Sequence, residues 1–465
     1  MSGDPLPRVL FASAELTPLA RVGGLAEATA GLVRALRAAG AEVHVVLPDY
    51  GDVVLDEEES FPLEVPDWVG PCIVRRGRHP AAGPIDLIWV EGMDRPHPYL
   101  DDDGEGWPDN DRRFMAFSAA LTALVNRSQP DVVHLNDWHT SAATAWLHSR
   151  FPTILTIHTL GYQGVAGEGW LQVLGNEAFR FAWWGATNPM AGAIQLADRV
   201  VTVSPNYASE IVTADGGMGL HERLATLGDR LIGIRNGIDT SIWNPATDPH
   251  IAAHFAIERL AGRADCRADL FEAAGWEDDG QPLIAIVSRL VDQKGIDLAL
   301  GCARFLETMP ARLMVLGSGA VALADGLRYW QSRTPDRVWF TDGYDEPLAH
   351  RLFAGSDLFF MPSRFEPCGL AQMQAMAYGS LPVVTAVGGL VDTVVDADRD
   401  RAKGTGFISL PVDDGGVLDA LHRGVRAVRM RRRRDAIQRR GMTKDWSWER
   451  PAQEHIELYT SLAGG

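Results

Sequence analysis

The chain has 465 residues, 46% apolar and 22% charged, with 61 acidic against 43 basic side chains and a net charge of −18. That length is too great for one ordinary hydrophobic core, so two domains are expected. The acidic balance repels phosphate backbones and anionic membranes, which argues against nucleic acid or a lipid surface as partner. Cys72, Cys266, Cys302 and Cys368 are far apart with no C-x-x-C pair, a pattern suited to a reducing compartment and not to a disulfide frame or zinc knuckle. Met1 to Val9 lacks a basic segment followed by a long apolar run, and no apolar stretch approaches the ~20 residues that span a bilayer. A cytoplasmic protein is expected. The runs Asp56-Glu57-Glu58-Glu59 and Asp101-Asp102-Asp103 read as solvated loops.

Short β-branched runs bounded by Gly, Pro, Asn or Asp predict strands at Val9–Ser13, Val43–Leu47, Ile85–Val90, Val132–Leu135, Thr153–Ile157 and Val200–Ser204. Helix-length amphipathic stretches separate many of them, the alternation of parallel strands joined by crossovers. A looser segment around Asn236–His254 reads as a hinge. A second series follows at Leu283–Val287, Arg312–Leu316, Val338–Thr341, Leu358–Met361, Pro382–Val384 and Gly406–Ser409. Two doubly wound α/β sheets are therefore expected, with ligands outside the carboxyl ends of the strands and the chemistry between the lobes. The boundaries fall at 1–240 for the first domain and 241–445 for the second; 446–465, opening on Asp445-Trp446-Ser447-Trp448, is a terminal helix able to dock on either lobe.

The first strand runs into Arg21-Val22-Gly23-Gly24-Leu25 and then a helix. Adjacent glycines at such a junction let backbone N–H groups approach a phosphate, the helix N-terminus adds partial positive charge, and Arg21 adds a full one. A lone Gly-Gly is more often a tight turn without a ligand. Here Val387-Gly388-Gly389-Leu390 repeats it in the second half, so the pair suggests a two-sided clamp on a diphosphate. No Walker-type G-x-x-x-x-G-K-[ST] accompanies either copy, and Gly317-Ser318-Gly319 is too weak to mark a dinucleotide site.

After Leu283–Val287 come Arg289 and Lys294, two cations at a strand's carboxyl end, where they can neutralise charge on a departing diphosphate without proton transfer. A surface pair on a loop is the plainer alternative. After Leu358–Met361 comes Pro362-Ser363-Arg364-Phe365-Glu366-Pro367-Cys368-Gly369-Leu370. Glu366 there could accept sugar hydroxyls or stabilise positive charge at an anomeric carbon, or simply favour a helix start. In the first half, His134-Leu135-Asn136-Asp137-Trp138-His139 and His158-Thr159-Leu160-Gly161-Tyr162-Gln163-Gly164 end strands with polar and aromatic groups. No spacing there matches a zinc site; hydrogen bonding and aromatic stacking to sugar fit better. His134, taken singly, reads as a core histidine.

These motifs, with Asp109-Asn110, Arg113-Phe114, Val203-Ser204-Pro205, Asn236-Gly237-Ile238-Asp239 and Trp243-Asn244-Pro245, resemble the bacterial glycogen and starch synthase family, in order over nearly the whole chain. The resemblance implies the GT-B fold of two Rossmann-like domains facing a central cleft. It implies a retaining glucosyltransferase that moves glucose from ADP-glucose or UDP-glucose to an α-1,4-glucan, with neither metal nor cofactor. By motif, Arg289 and Lys294 would hold the diphosphate with Arg21, Gly23, Gly24, Val387, Gly388 and Gly389. Glu366 and the backbone at Cys368-Gly369-Leu370 would hold the glucosyl group, met by Asn236; Asp137 and His158 would face the reacting sugar; Tyr344 would contact the base; and Glu27, Asn136, Asp137, His139, Tyr162 and Gln163 would lie on the acceptor side.

The chain departs from the family pattern in carrying Arg21 and Glu27 for Lys and Asp at the first turn, Val387 for Thr at the second and Thr159 for Asn after His158. A frequent Lys is absent around Met190-Ala191. Arg keeps the charge of Lys in a bulkier planar fork. Competing readings are a transferase with the same clamp and another acceptor (a sugar phosphate, a glycoside or a lipid-linked sugar), or a catalytically silent glucan-binding relative. The basic run Arg429 to Arg434 with Arg439-Arg440 reads as a solvated face, the weakest of grounds for nucleic-acid binding.

Overall fold

The inner parallel strands, such as Val132–Asn136, Thr153–Ile157, Leu358–Met361 and Leu381–Thr385, are buried on both faces, which is why they read as continuous runs rather than as alternation. The computed structural model describes residues 6–101, 103–303 and 309–464; Met1 to Pro5 of the N-terminal stretch and Asp102 of the acidic triplet lie outside them. The chain divides into two compact units, one made of Met1–Gly237 and Trp448–Gly465, the other of Ile238–Ser447. Among the described residues no helix is long and apolar enough to cross a membrane.

The first unit holds β1 (Arg8–Ala12), β2 (Glu42–Pro48), β3 (Asp56–Pro62), β4 (Cys72–His79), β5 (Gly83–Val90), β6 (Val132–Asn136), β7 (Thr153–Ile157), β8 (Arg199–Thr202) and β9 (Leu231–Gly233). They form one sheet in the order β9-β8-β7-β6-β1-β2-β5-β4-β3, parallel except where β4 meets β3 and β5. The order reverses at β1: β2 lies on one side and β6 on the other, with Phe11 opposite both Val45 and His134. Crossovers leave the two strands in opposite directions, and a crevice opens at their carboxyl ends.

The acidic run expected as a loop begins β3 instead. Its side chains are exposed along nearly the whole strand, and Glu58 pairs with Arg75 of β4 at 2.8 Å. Charge on an outermost strand keeps its open edge from pairing with another chain, so solvation here signals an edge and not a loop.

The terminal helix Glu449–Ala463 belongs to the first unit, where Trp448, Ala452, Ile456 and Tyr459 share a core with Val9, Phe11, Leu32 and Leu36. Trp448 lies against the helix Gly24–Ala38 at Gly31, where even a methyl group would overlap the indole. The Tyr459 hydroxyl meets His134 Nδ1 at 2.7 Å, and Thr156 Oγ1 meets Nε2 at 2.7 Å. His134 is thus a satisfied core histidine.

The second unit is a six-stranded parallel sheet of β10 (Leu283–Val287), β11 (Arg312–Gly317), β12 (Val338–Asp342), β13 (Leu358–Met361), β14 (Leu381–Thr385) and β15 (Phe407–Ser409), in the order β12-β11-β10-β13-β14-β15. Its reversal falls between β10 and β13, where Ile284 faces Leu358. The segment expected as a loose hinge is largely anchored. Buried Asp248 accepts from His350 Nδ1 at 2.7 Å and from the Tyr378 hydroxyl, and Trp243 stacks on His350 with centroids 3.9 Å apart. Trp243 and Asp248 do this anchoring from chain without regular secondary structure, so periodicity gives no sign of it.

Replacing Gly31 by Ala is expected to displace Trp448 and destabilise the first unit by about 1–3 kcal/mol, read as a lower unfolding midpoint in denaturant. In a Trp448→Ala background the same change should cost little, because the two positions are coupled. Equal costs in both backgrounds would disprove the contact.

Candidate active site

In the first unit the chain leaving β1 passes through Glu15, a buried carboxylate that the sequence motifs do not single out. Its Oε2 accepts the backbone N–H groups of Val22 at 2.9 Å and Gly23 at 3.0 Å, and its Oε1 accepts the Tyr99 hydroxyl at 2.8 Å. Two donors of the first glycine turn are therefore held by an internal anion, the place the sequence suggested for phosphate. Space for a ligand remains: a side chain built on Gly23 or Gly24 would meet nothing within 4 Å, and N–H groups of a helix's first turn have no intrahelical acceptor. Arg21 Nε pairs with Glu27 Oε1 at 3.1 Å, and Thr17 donates to the same oxygen at 3.0 Å. The two departures at this turn are thus each other's partner.

The ends of β6 and β7 bring Asn136, Asp137 and His158 together. Asn136 donates Nδ2 to the Ala12 carbonyl at 3.0 Å, so its Oδ1 faces His158 Nε2, at 2.9 Å. This assigns the His158 proton to Nε2 and leaves Nδ1 a lone pair. Burial pushes His158 down to about 3, so it is neutral at physiological pH. Asp137 has a positive φ of 54°, which turns its side chain back so that Oδ1 accepts the His158 backbone N–H at 2.7 Å. Burial raises this carboxyl to about 7, against the opposing pull of the His158 and Thr159 backbone N–H groups. Asn236 lines the same small cavity as Asn136 and His158.

The other expected acceptor-side residues differ in kind. His139 is buried among rings, stacked on Tyr99 at 4.9 Å and edge-on to Phe114 at 4.7 Å, and burial lowers it to about 3; it is a wall. The Gln163 amide is already engaged, accepting from Asn188 at 2.8 Å and donating to the Leu160 and Met218 carbonyls at 3.2 and 3.0 Å. Tyr162 is 66% exposed and, with Trp138 and Asp111, lines an open pocket of about 530 Å³.

In the second unit the loops after β10 and β13 are stitched across the sheet reversal. The Arg364 N–H donates to the Gln293 carbonyl at 2.9 Å, and Gln293 Nε2 donates to the Phe365 carbonyl at 3.0 Å. This brings Lys294 Nζ to 2.5 Å from Glu366 Oε2, which also accepts Ser363 Oγ at 3.1 Å. Arg289 is exposed and reaches toward Gln293 Oε1 at 3.4 Å. The neighbouring Arg364 is neutralised by Asp297 at 2.5 Å.

The second glycine turn is not a copy of the first. The Gly389 N–H donates to the carbonyls of Glu366 and Pro367 at 3.0 and 3.2 Å. Gly388 has φ 44°, and any side chain on it would collide with the Glu366 carbonyl. These glycines let the backbone carrying Glu366 pack closely, so Gly389 does not offer a phosphate its N–H. Cys368 is buried, and the carbonyls of Cys368 and Gly369 accept Gln372 Nε2 at 3.0 and 3.1 Å. Leu370 precedes the helix Ala371–Ala377 and Val387 precedes the helix Gly388–Thr393. Tyr344 is 71% exposed, its hydroxyl 2.9 Å from Glu346. Among the described residues no group of three or more His, Cys, Asp or Glu is placed to hold a metal ion.

Two doubly wound units with a cation–carboxylate pair at a sheet reversal suit transfer of a group from an anionic leaving group. Residues 270–428 match the family model of glycosyl transferases group 1, and residues 8–226 match that of the starch synthase catalytic domain; the chain is a glycosyltransferase with a GT-B fold. It is 38% identical to a glycogen synthase from Rhizobium johnstonii, over 98% of this chain and 99% of that one, and 39% identical to one from Anaeromyxobacter dehalogenans, over 98% and 100%. Among solved structures it is similar to the catalytic domain of starch synthase IV from Arabidopsis thaliana bound to ADP and acarbose, with a TM-score of 0.87, 32% identity and coverage of 99% and 100%. The chain belongs to the glycogen and starch synthase family.

A carboxyl raised on folding stabilises the fold fully below its unfolded value and loses that contribution as pH climbs through the folded one. For Asp137 the window runs from about pH 4 to about 7. Asp137→Asn keeps the oxygen that accepts the His158 N–H and removes the charge. It is expected to stabilise the protein at pH 8 by on the order of 2–4 kcal/mol, with no gain at pH 4. Identical unfolding curves for the two proteins at pH 8 would contradict a buried charge at Asp137.

Proposed function

We propose that this protein is a retaining glucosyltransferase that moves glucose from ADP-glucose, or UDP-glucose, to the non-reducing end of an α-1,4-glucan. The observation that carries the reading is the Lys294–Glu366 pair beside exposed Arg289, at the reversal of the second sheet. The similar plant starch synthase is bound to ADP, the nucleotide that ADP-glucose leaves behind, and to acarbose. The bacterial relatives are glycogen synthases. Both likenesses support a nucleotide-sugar donor and a glucan acceptor.

In this reading Lys294 and Arg289 neutralise the negative charge that grows on the diphosphate as the glycosidic bond breaks, a stabilisation larger in the transition state than in the ground state. Glu366, held by Ser363, takes sugar hydroxyls, with the backbone at Cys368, Gly369 and Leu370 alongside. Asp137 and neutral His158 face the reacting sugar. The departing phosphate oxygen, on the same face as the incoming 4-hydroxyl, takes that hydroxyl's proton, so configuration is retained without a covalent enzyme intermediate, a metal or a cofactor. Arg21, Gly24 and Val387 complete the donor side, Tyr344 contacts the base, and Glu27 acts by holding Arg21. The reaction belongs in the cytoplasm.

The test is to offer labelled ADP-glucose and UDP-glucose separately, each with glycogen, a short maltooligosaccharide or glucose 1-phosphate. Label is expected at the non-reducing ends of glycogen and the oligosaccharide. Transfer only to glucose 1-phosphate, or to nothing, would overturn the acceptor assignment. Lys294→Ala should still fold, with reduced stability because Glu366 loses its partner, and lower kcat by about 10²–10³; unchanged turnover would remove Lys294 from the diphosphate.

A further inference from the structure

Trp184 is 85% exposed and occupies a backbone position that tryptophan disfavours. Ala182–Trp183 and Ala186–Thr187 form an antiparallel hairpin with Trp183 opposite Ala186, so Trp184 and Gly185 are its two-residue turn. Both have positive φ, 43° and 78°. Asn-Gly or Asp-Gly is the usual pair in such turns, because positive φ strains a bulky side chain. Neither backbone preference nor burial accounts for tryptophan here. A demand for exposed aromatic surface does.

The aromatic pair is supported from behind. The Trp183 and Trp184 ring centroids are 4.4 Å apart, and the Arg223 guanidinium lies 5.3 Å from the Trp183 centroid. Arg223 is itself fixed by the carbonyls of Arg180 at 2.5 Å and Ala182 at 3.2 Å. Strand pairing also ties the hairpin to the segment that lines the pocket beside Tyr162. Ala186 and Thr187 pair with Gly167 and Ala166, which follow directly on pocket residues Gly164 and Val165. On the other side, Gly219 abuts both tryptophans, and its neighbour Met218 accepts Gln163 Nε2 at 3.0 Å.

We propose that the Trp183–Trp184 hairpin is a binding platform for a stretch of α-glucan away from its reacting end, continuous with the Tyr162 pocket; this rests on the glucan-acceptor reading. A pyranose ring has an apolar C–H face that an indole covers and a hydroxyl rim that stays in water, the amphipathic match for which exposed aromatics suit interfaces. The local charges are engaged within the protein, Arg180 with Glu177 at 2.8 Å and Arg223 with carbonyls, so the surface suits a neutral polymer. Long chains would gain from the platform and short ones would not reach it.

The test uses the full chain with Trp184→Asn, which keeps a residue tolerant of positive φ, and Trp184→Tyr, which keeps an aromatic face. Mobility in native gels containing glycogen reads binding, and transfer to glycogen and to maltotriose reads catalysis. Trp184→Asn is expected to weaken retardation by glycogen and raise the half-saturating glycogen concentration about threefold to tenfold, leave kcat and KM with maltotriose unchanged, and be largely rescued by tyrosine. Four results would overturn the platform: no retardation of the natural protein, retardation unaltered by Trp184→Asn, equal losses on both acceptors, or a change of oligomeric state with glycogen binding intact, the mark of a protein interface. Absence of transfer to any glucan by the natural protein would instead defeat the acceptor reading, while retardation still reports on the hairpin.

Discussion

The Lys294–Glu366 ion pair, at 2.5 Å, depends on the reversal of strand order in the second sheet. Because β10 and β13 are neighbours whose crossovers run opposite ways, the loops leaving their carboxyl ends face each other, and Gln293 and the backbone around Arg364 stitch them together. A charge pair that is mostly buried is costly to desolvate, and one partner left alone costs several kcal/mol. The pair is stable only while each charge answers the other. In the proposed reaction an incoming diphosphate would change that balance by offering Lys294 a second anion, and would free the Glu366 carboxylate to accept hydroxyl groups.

The glycine turns were expected to be two jaws of one kind, and they differ. At the first, Glu15 satisfies the Val22 and Gly23 N–H groups and thereby fixes the turn before any ligand arrives, while space above Gly23 and Gly24 stays open. At the second, Gly388 and Gly389 let the chain approach the Glu366 carbonyl. One turn presents a surface and the other shapes the loop that carries the acid. The same dipeptide serves both because removing Cβ helps any close approach, whether of a ligand or of the protein's own backbone.

Much of the architecture was legible from residues alone. Thr153–Ile157, Leu283–Val287 and Leu358–Met361 were read with the bounds they have, because a doubly covered parallel strand is a short apolar run with punctuated ends. The strand at Asp56–Pro62 was hidden by its charges, since edge protection and loop solvation use the same residues. Asp137, His158, Arg289, Lys294 and Glu366 stand out in the sequence because they follow predicted strands, and the structure places each beyond a strand's carboxyl end. Glu15 obeys the same rule, three residues past β1, but the glycines that follow are the stronger signal in the sequence. Gln163 and His139 show the opposite limit: a polar side chain in a motif does not reveal whether its atoms face a ligand or are already bonded within the fold.

The most direct test of the central claim is a calorimetric titration of ADP into the natural protein, Lys294→Ala and Glu366→Gln. Loss of Lys294 should weaken ADP by about 30-fold or more, whereas Glu366→Gln, which leaves Lys294 without its competing carboxylate, should bind ADP at least as tightly as the natural protein. Natural affinity in Lys294→Ala, or equal weakening in both variants, would contradict a lysine that exchanges Glu366 for a diphosphate.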